Sequence, residues 1–433
     1  MNLRFARALA WIPAFAAMTA WAEPGPNKDL AALFEREFKL TIDEHPELGT
    51  IFGLPGYDDK LTDHTFAAIE RRKAHSRALL AELTAYDPAT LSTQDRISRA
   101  IAIDGTELEL QEDAFYKDLP FAAGFGDGWD QVSTQSGPEL SVGYIVNATR
   151  FATVTDYENY LKRLSKAPVW LDQEIMLLRA GMKSGWMPPL EAMVTVPKMF
   201  DAFAGSDVTA SPMWQPFTKF PTEVPEADRT RLADEGRRLL STAVHPAFRK
   251  FQEFVAKEYL PACSKSLAAS SLPGGKAYYA FRVRENTTLP MDPAEVHKIG
   301  LSEVARIRGE MDKVIKGTGF KGTFEEFIKY TWTDPRFFSK SSQERLTSYR
   351  DMAKRADAEL PKLFATLPRL PYGVRPMEAY EGDNADHYSP GALDGSRAGF
   401  FEANVNNAEK KGWLDMEATL LHEAVPGHHL QNA

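Results

Sequence analysis

Through most of the chain, apolar residues recur every three or four positions with charged residues between them, the spacing of amphipathic helices. The pattern is clearest over 28–43, 64–86, 91–113, 155–182, 227–258, 293–316 and 342–366. Around 293–316 the ends are also marked. Asp292 suits the N-cap, Pro293 the first helical position and Glu295 a capping box, and Gly317 suits the stop. Two pieces read instead as strands: 276–284, rich in Tyr and Phe, and 399–406, where Phe401, Ala403 and Val405 alternate with Phe400, Glu402 and Asn404. Pro/Gly clusters punctuate the helices at 185–189, 205–225, 272–275 and 367–376. A boundary near Leu272 then divides an N-terminal helical region, 23–272, from a second region, 273–433. The expectation is a mainly α (α+β) protein: a large helical body with a small β element.

Composition narrows the function. With 433 residues, 43% hydrophobic, the chain has ample material for folded cores. Its 51 Lys and Arg against 60 Asp and Glu give a net charge of −9, which argues against a nucleic-acid surface. The single cysteine, Cys263, excludes an internal disulfide and any thiolate-built metal site, so a metal must be held by His, Asp or Glu. Arg4 and Arg7 precede an apolar stretch over 8–22 that ends in the small-x-small pattern Ala20, Trp21, Ala22. Residues 1–22 therefore read as a cleaved secretory signal, too short for a comfortable membrane span. The expectation is a periplasmic or secreted protein with no stable membrane anchor after cleavage.

Some motifs carry little. Gly317, Gly319 and Gly322 match the dinucleotide-binding spacing, but a helix rather than a strand feeds them, and Thr323 with Glu326 reads as the capping box of a following helix. No Gly-x-Ser-x-Gly elbow is present, and Cys263 has no histidine beside it in sequence.

Three of the nine histidines fall within eight residues, in the run from His422 and Glu423 through Pro426 and Gly427 to His428 and His429. In the zinc-protease motif His-Glu-x-x-His, two imidazoles one helical turn apart bind the metal while the Glu deprotonates water. Here Pro426 occupies the position of the second histidine. It cannot donate to the carbonyl of His422, and its ring clashes there, so the helix must distort. With Gly427 giving the backbone room, two residues can loop out and bring His428 to His422. On an undistorted helix His429 would share a face with His422 about 10 Å further along, leaving it a ligand alternative or a substrate contact. Leu414, Ala418, Leu421 and Val425 are expected to form the buried stripe of this helix, with Asp415 as N-cap.

This segment resembles the signature of the bacterial domain of unknown function family 885, of the zincin-like metallopeptidase clan. Tyr388-Ser-Pro-Gly, the run from Asp394 through Arg397 to Phe401, the run beginning at Gly300, and the early segments at His45 and Tyr57 extend the resemblance over most of the chain. It implies a zinc peptidase with His422 and His428 as ligands and Glu423 as general base, acting on peptide substrates. It also implies that 399–406, with Phe401 and Ala403, is an edge strand able to hold a peptide by β-augmentation. Arg397 either pairs structurally or holds a substrate carboxylate. Relatives supply a third ligand, a Glu, well downstream of the histidines. The expectation is therefore a third zinc ligand beyond Ala433, in a truncated chain of weak or no activity, with Glu417, Glu402, Asp386 and His387 as candidates inside it. A non-catalytic exported binding protein and a metal-dependent amidase or esterase are the competing readings.

Overall fold

The computed structural model describes residues 27–116, 119, 121, 131–378, 381 and 384–433; the predicted signal, 1–22, lies outside them. The protein is mainly helical with one small sheet. It divides into two compact units: the chain up to Tyr278 together with Ala392–Ser396, and Tyr279–Gly391 together with Arg397–Ala433.

The first unit holds α1 (Lys28–Glu44), α2 (Pro46–Ile51), α3 (Phe66–Ala85), α4 (Thr93–Asp113), α5 (Pro138–Ala148) and the long α6 (Val154–Ser184). Side chains that prefer to bond their own backbone start several of them: Asn27, Thr65, Ser92 and Thr153 each accept from the first turn. The segment predicted at 227–258 is α7 (Glu226–Leu239) and α8 (His245–Phe254), joined and followed by single π turns at Leu240–Val244 and Val255–Tyr259.

α9 (Gly275–Thr287) overturns the strand expected at 276–284. Among its buried side chains, Tyr278, Phe281 and Glu285 are three and four apart, the helical repeat, with Val283 buried beside them; the Tyr and Phe content mimicked a strand because β-propensity reports packing more than backbone preference. The second unit continues with α10 (Pro293–Gly317), capped by Asp292 on the Ala294 N–H, and α11 (Phe324–Thr333), opened by the Thr323–Glu326 capping box. α12 (Ser342–Leu363) follows.

The sheet comprises β1 (Tyr372–Pro376), β2 (His387–Ser389) and β3 (Gly399–Ala403), in the order β1-β3-β2. β3 pairs parallel with β1 and antiparallel with β2. This corrects the edge-strand expectation: β3 is the centre strand, and both its ladders are already filled. Phe401 and Ala403, proposed as substrate contacts, are fully buried and pack with Leu346, Tyr349 and Ala353 of α12.

α13 (Met416–Glu423) closes the same core with Met416 and Leu420. Of the expected stripe only Val425 is buried. Leu414 precedes the helix and is exposed, as are Ala418 and Leu421, and Asp415 sits at the N-cap without a side-chain bond. Turning the helix this way buries Glu423 and leaves His422 exposed.

In the first unit, Glu139 lies in the first turn of α5, only 2% exposed, and among the described residues its carboxylate finds no side-chain partner. Burial pushes its pKa up to about 8 from an ordinary 4.5. The folded state therefore takes up a proton that the unfolded chain releases, so the stabilisation is complete below about pH 4.5 and is lost as pH rises towards 8. Glu139→Gln is expected to raise the melting temperature at pH 8 by several degrees and to converge with the parent near pH 4.5, as read by scanning calorimetry.

Candidate metal centre

The site begins where α13 stops. The Ala424 N–H still bonds the Leu420 carbonyl at 2.8 Å, but the Val425–Pro426 peptide is cis and the chain turns back on itself. Gly427 carries the turn. A Cβ there would sit 1.9 Å from the His422 carbonyl oxygen, so no side chain fits between the turn and the helix end. A new short helix, α14 (His428–Asn432), starts immediately, and the His429 N–H reaches the Ala424 carbonyl at 3.0 Å. The helix breaks outright instead of looping out two residues, yet the result for the side chains is the expected one: the His422 and His428 rings stand edge to face with centroids 4.7 Å apart.

Glu423 completes the group. Its two carboxylate oxygens lie 4.0 Å from His422 Nε2 and 3.8 Å from His428 Nε2. The donor atoms of the three residues fall within 4.8 Å of one another, the one such His/Asp/Glu group among the described residues. Burial, reinforced by the negative Asp386, pushes the Glu423 carboxyl up to about 7, and the Tyr388 backbone N–H opposes that rise by donating to it. Burial and the neighbouring His422 lower the pKa of His428, favouring the neutral imidazole whose lone pair a cation needs. Two converging imidazoles, His422 exposed and His428 partly buried, are donors that zinc accepts, and the buried Glu423 carboxylate lies beside them.

His429 does something else. It is 2% exposed, accepts from the Tyr388 hydroxyl through Nδ1 at 3.0 Å and donates to the Leu370 carbonyl through Nε2 at 3.0 Å. With both ring nitrogens engaged it is neither ligand nor substrate contact. It fastens α14 to the segments carrying β1 and β2, and Tyr388 in turn comes so close to Gly399 that a Cβ there would lie 2.2 Å from the hydroxyl. Arg397 also has a structural bond, donating to the Pro390 carbonyl at 2.7 Å.

The other candidate ligands are elsewhere. Glu402 is buried and held bidentate by Arg375 at 2.6–2.9 Å. Asp386 accepts from the Asn404 N–H at 2.5 Å and from the Tyr349 hydroxyl at 3.1 Å. His387 faces Glu381 at 3.6 Å, and Glu417 is exposed in the first turn of α13. None joins the three-residue group.

Sequence reading missed Tyr388 as a support of the site. β2, which aims its backbone N–H at Glu423, is three residues long and leaves too little alternation to be seen. The family segment beginning at Tyr388 was the available signal.

The unit that carries the group is mainly helical, with a small sheet beside the broken helix that bears His422 and Glu423. The chain belongs to the family described as "Bacterial protein of unknown function (DUF885)", whose model matches residues 46–433. No curated protein matches it. Among solved structures it is similar to "the putative lipoprotein from Colwellia psychrerythraea", with a TM-score of 0.83 at 19% identity, covering 93% of this chain and 71% of that one. It is also similar to "a putative lipoprotein of unknown function from Shewanella oneidensis", with a TM-score of 0.59 at 13% identity, covering 92% of this chain and 70% of that one. At these identities the likeness is one of fold.

Substitutions separate the roles of the adjacent histidines. His429→Ala strands the Tyr388 hydroxyl and the Leu370 carbonyl in the interior and is expected to cost about 2–4 kcal/mol in denaturant unfolding. His428→Ala, by contrast, is expected to change stability by less than about 1 kcal/mol. Gly427→Ala is expected to cost about 1–3 kcal/mol in denaturant unfolding, because the turn must move away from the His422 carbonyl.

Proposed function

We propose that this protein is a zinc-dependent metallopeptidase of the cell envelope. The observation that carries the reading is the convergence of His422, Glu423 and His428 across a helix break that only glycine permits at position 427. His422 and His428 would hold the ion. Bound there, zinc supplies the Lewis acidity that makes water nucleophilic at neutral pH and polarises a carbonyl.

The chain's own groups supply proton transfer and positioning. Glu423, with a pKa near 7, is poised both to accept and to give a proton at neutral pH. It takes a proton from the attacking water and returns it to the leaving nitrogen, which balances amide hydrolysis. The Tyr388 N–H orients the carboxylate, and burial, reinforced by Asp386, keeps its proton affinity high. The apolar core beneath, Leu420, Ala424 and Phe401, fixes the end of α13 against movement.

Peptide is the proposed substrate class on the strength of the His-Glu signature and the family resemblance. The third zinc ligand is not assigned among the described residues outside the three-residue group. Export is proposed from the signal-like residues 1–22 and the names of the structural neighbours. Among the described residues, no helix is long and apolar enough to cross a membrane.

Zinc content and hydrolysis, measured together, test the reading. Two imidazoles alone make a weak site, so the chain is titrated with excess zinc: the parent is expected to bind about one ion weakly, as a single mononuclear site implies, and both His422→Ala and His428→Ala to lose it. Glu423→Gln is expected to keep the metal while hydrolysis of a quenched fluorescent peptide library falls by about 10²–10⁴-fold. A parent that takes up no zinc, or a Glu423→Gln variant of undiminished activity, overturns the proposal.

A further inference from the structure

α10 is a 25-residue helix of which Ile315 alone is buried. Val304, Ile307, Met311 and Val314 are all exposed, the valines by about two thirds, at spacings of three, four and three. That is the a/d rhythm of a coiled-coil seam, and Gly300 extends it one step towards the N-terminus with open space above it. Single exposed hydrophobics need no explanation, but a continuous seam along two heptads of one helix does.

The charges beside the seam specify what fits it. With Val304 and Met311 at a, and Ile307 and Val314 at d, Glu303 and Glu310 fall at g and Arg308 at e. In a parallel pair of identical helices, each g residue meets the e residue five positions on in its partner. Glu303 of each copy then meets Arg308 of the other, twice by symmetry. An antiparallel pair would instead set acidic g positions against each other. On the outer f positions lie Ser302 and Gly309, which no seam requires.

The present partners of these side chains are compatible with exchange. Arg306 bridges Glu303 at 2.7 Å and Glu310 at 2.9 Å, and Arg308 bridges Asp312 at 3.2 Å while lying over the Phe324 ring. The ion pairs are exposed and within one helix, so each contributes little and is readily exchanged. Covering the four exposed seam side chains supplies the larger apolar gain.

We propose that α10 is a self-association surface, pairing in parallel with α10 of a second copy about a two-fold axis. Sedimentation velocity on the chain lacking only residues 1–22, from micromolar to 200 µM, is the test. The concentration range reflects the weak-to-moderate affinity, roughly micromolar, expected of an interface built on a short seam. A reversible dimer is expected, reduced to monomer by the double substitution Val304→Glu and Ile307→Glu with unchanged far-UV circular dichroism. Glu303→Arg and Arg308→Glu are each expected to weaken the dimer roughly tenfold, and the two together to restore it. A monomer throughout the range overturns the proposal and leaves the seam to a different partner. Single charge reversals without effect, or a double reversal that does not restore the dimer, overturn the parallel pairing.

Discussion

Everything at the candidate centre depends on one close passage: Gly427 crossing the carbonyl of His422 where a Cβ would be 1.9 Å from the oxygen. Pro426 ends α13 because it has no N–H to give the helix, and the chain must then reverse within two residues if His428 is to reach His422. Only a residue without a side chain can make that crossing. The same two residues therefore break the helix and build the site, and neither effect occurs without the other.

The turn is held from both sides. Below it, Met416, Leu420 and Ala424 seat α13 on Phe401 and Tyr349. Beyond it, His429 spends both ring nitrogens on Tyr388 and Leu370, tying α14 to the same sheet. Tyr388 serves twice, since its hydroxyl meets His429 and its backbone N–H meets Glu423. A neutral imidazole with two good hydrogen bonds is a rigid fastener in an apolar setting, whereas His422 and His428 keep their nitrogens directed towards Glu423. Adjacent histidines in the sequence thus occupy opposite settings, one fastened and buried, the other facing Glu423.

The long helices were legible because each has a clear period and many have an end signal: Asp292 with Pro293, or Thr323 with Glu326. The His422, Glu423, His428 grouping was legible because the Pro-Gly pair gives a physical reason for the unusual spacing. The errors were of two kinds. Aromatic content outweighed spacing at 276–284, where buried residues three and four apart mark a helix. At α13 the apolar residues occur on more than one face, so the sequence offered two possible stripes; the true one is set by Phe401 and Tyr349, far away in the chain. The same non-local pairing made β3 central, which no local pattern could show.

Zinc K-edge X-ray absorption on the metal-loaded chain tests the central claim most directly, because it reads the ligands themselves. The account expects imidazole scattering from His422 and His428 with the remaining positions filled by oxygen, and loss of one imidazole shell in His428→Ala. Zinc coordinated by oxygen alone, or a spectrum unchanged by His428→Ala, would contradict it.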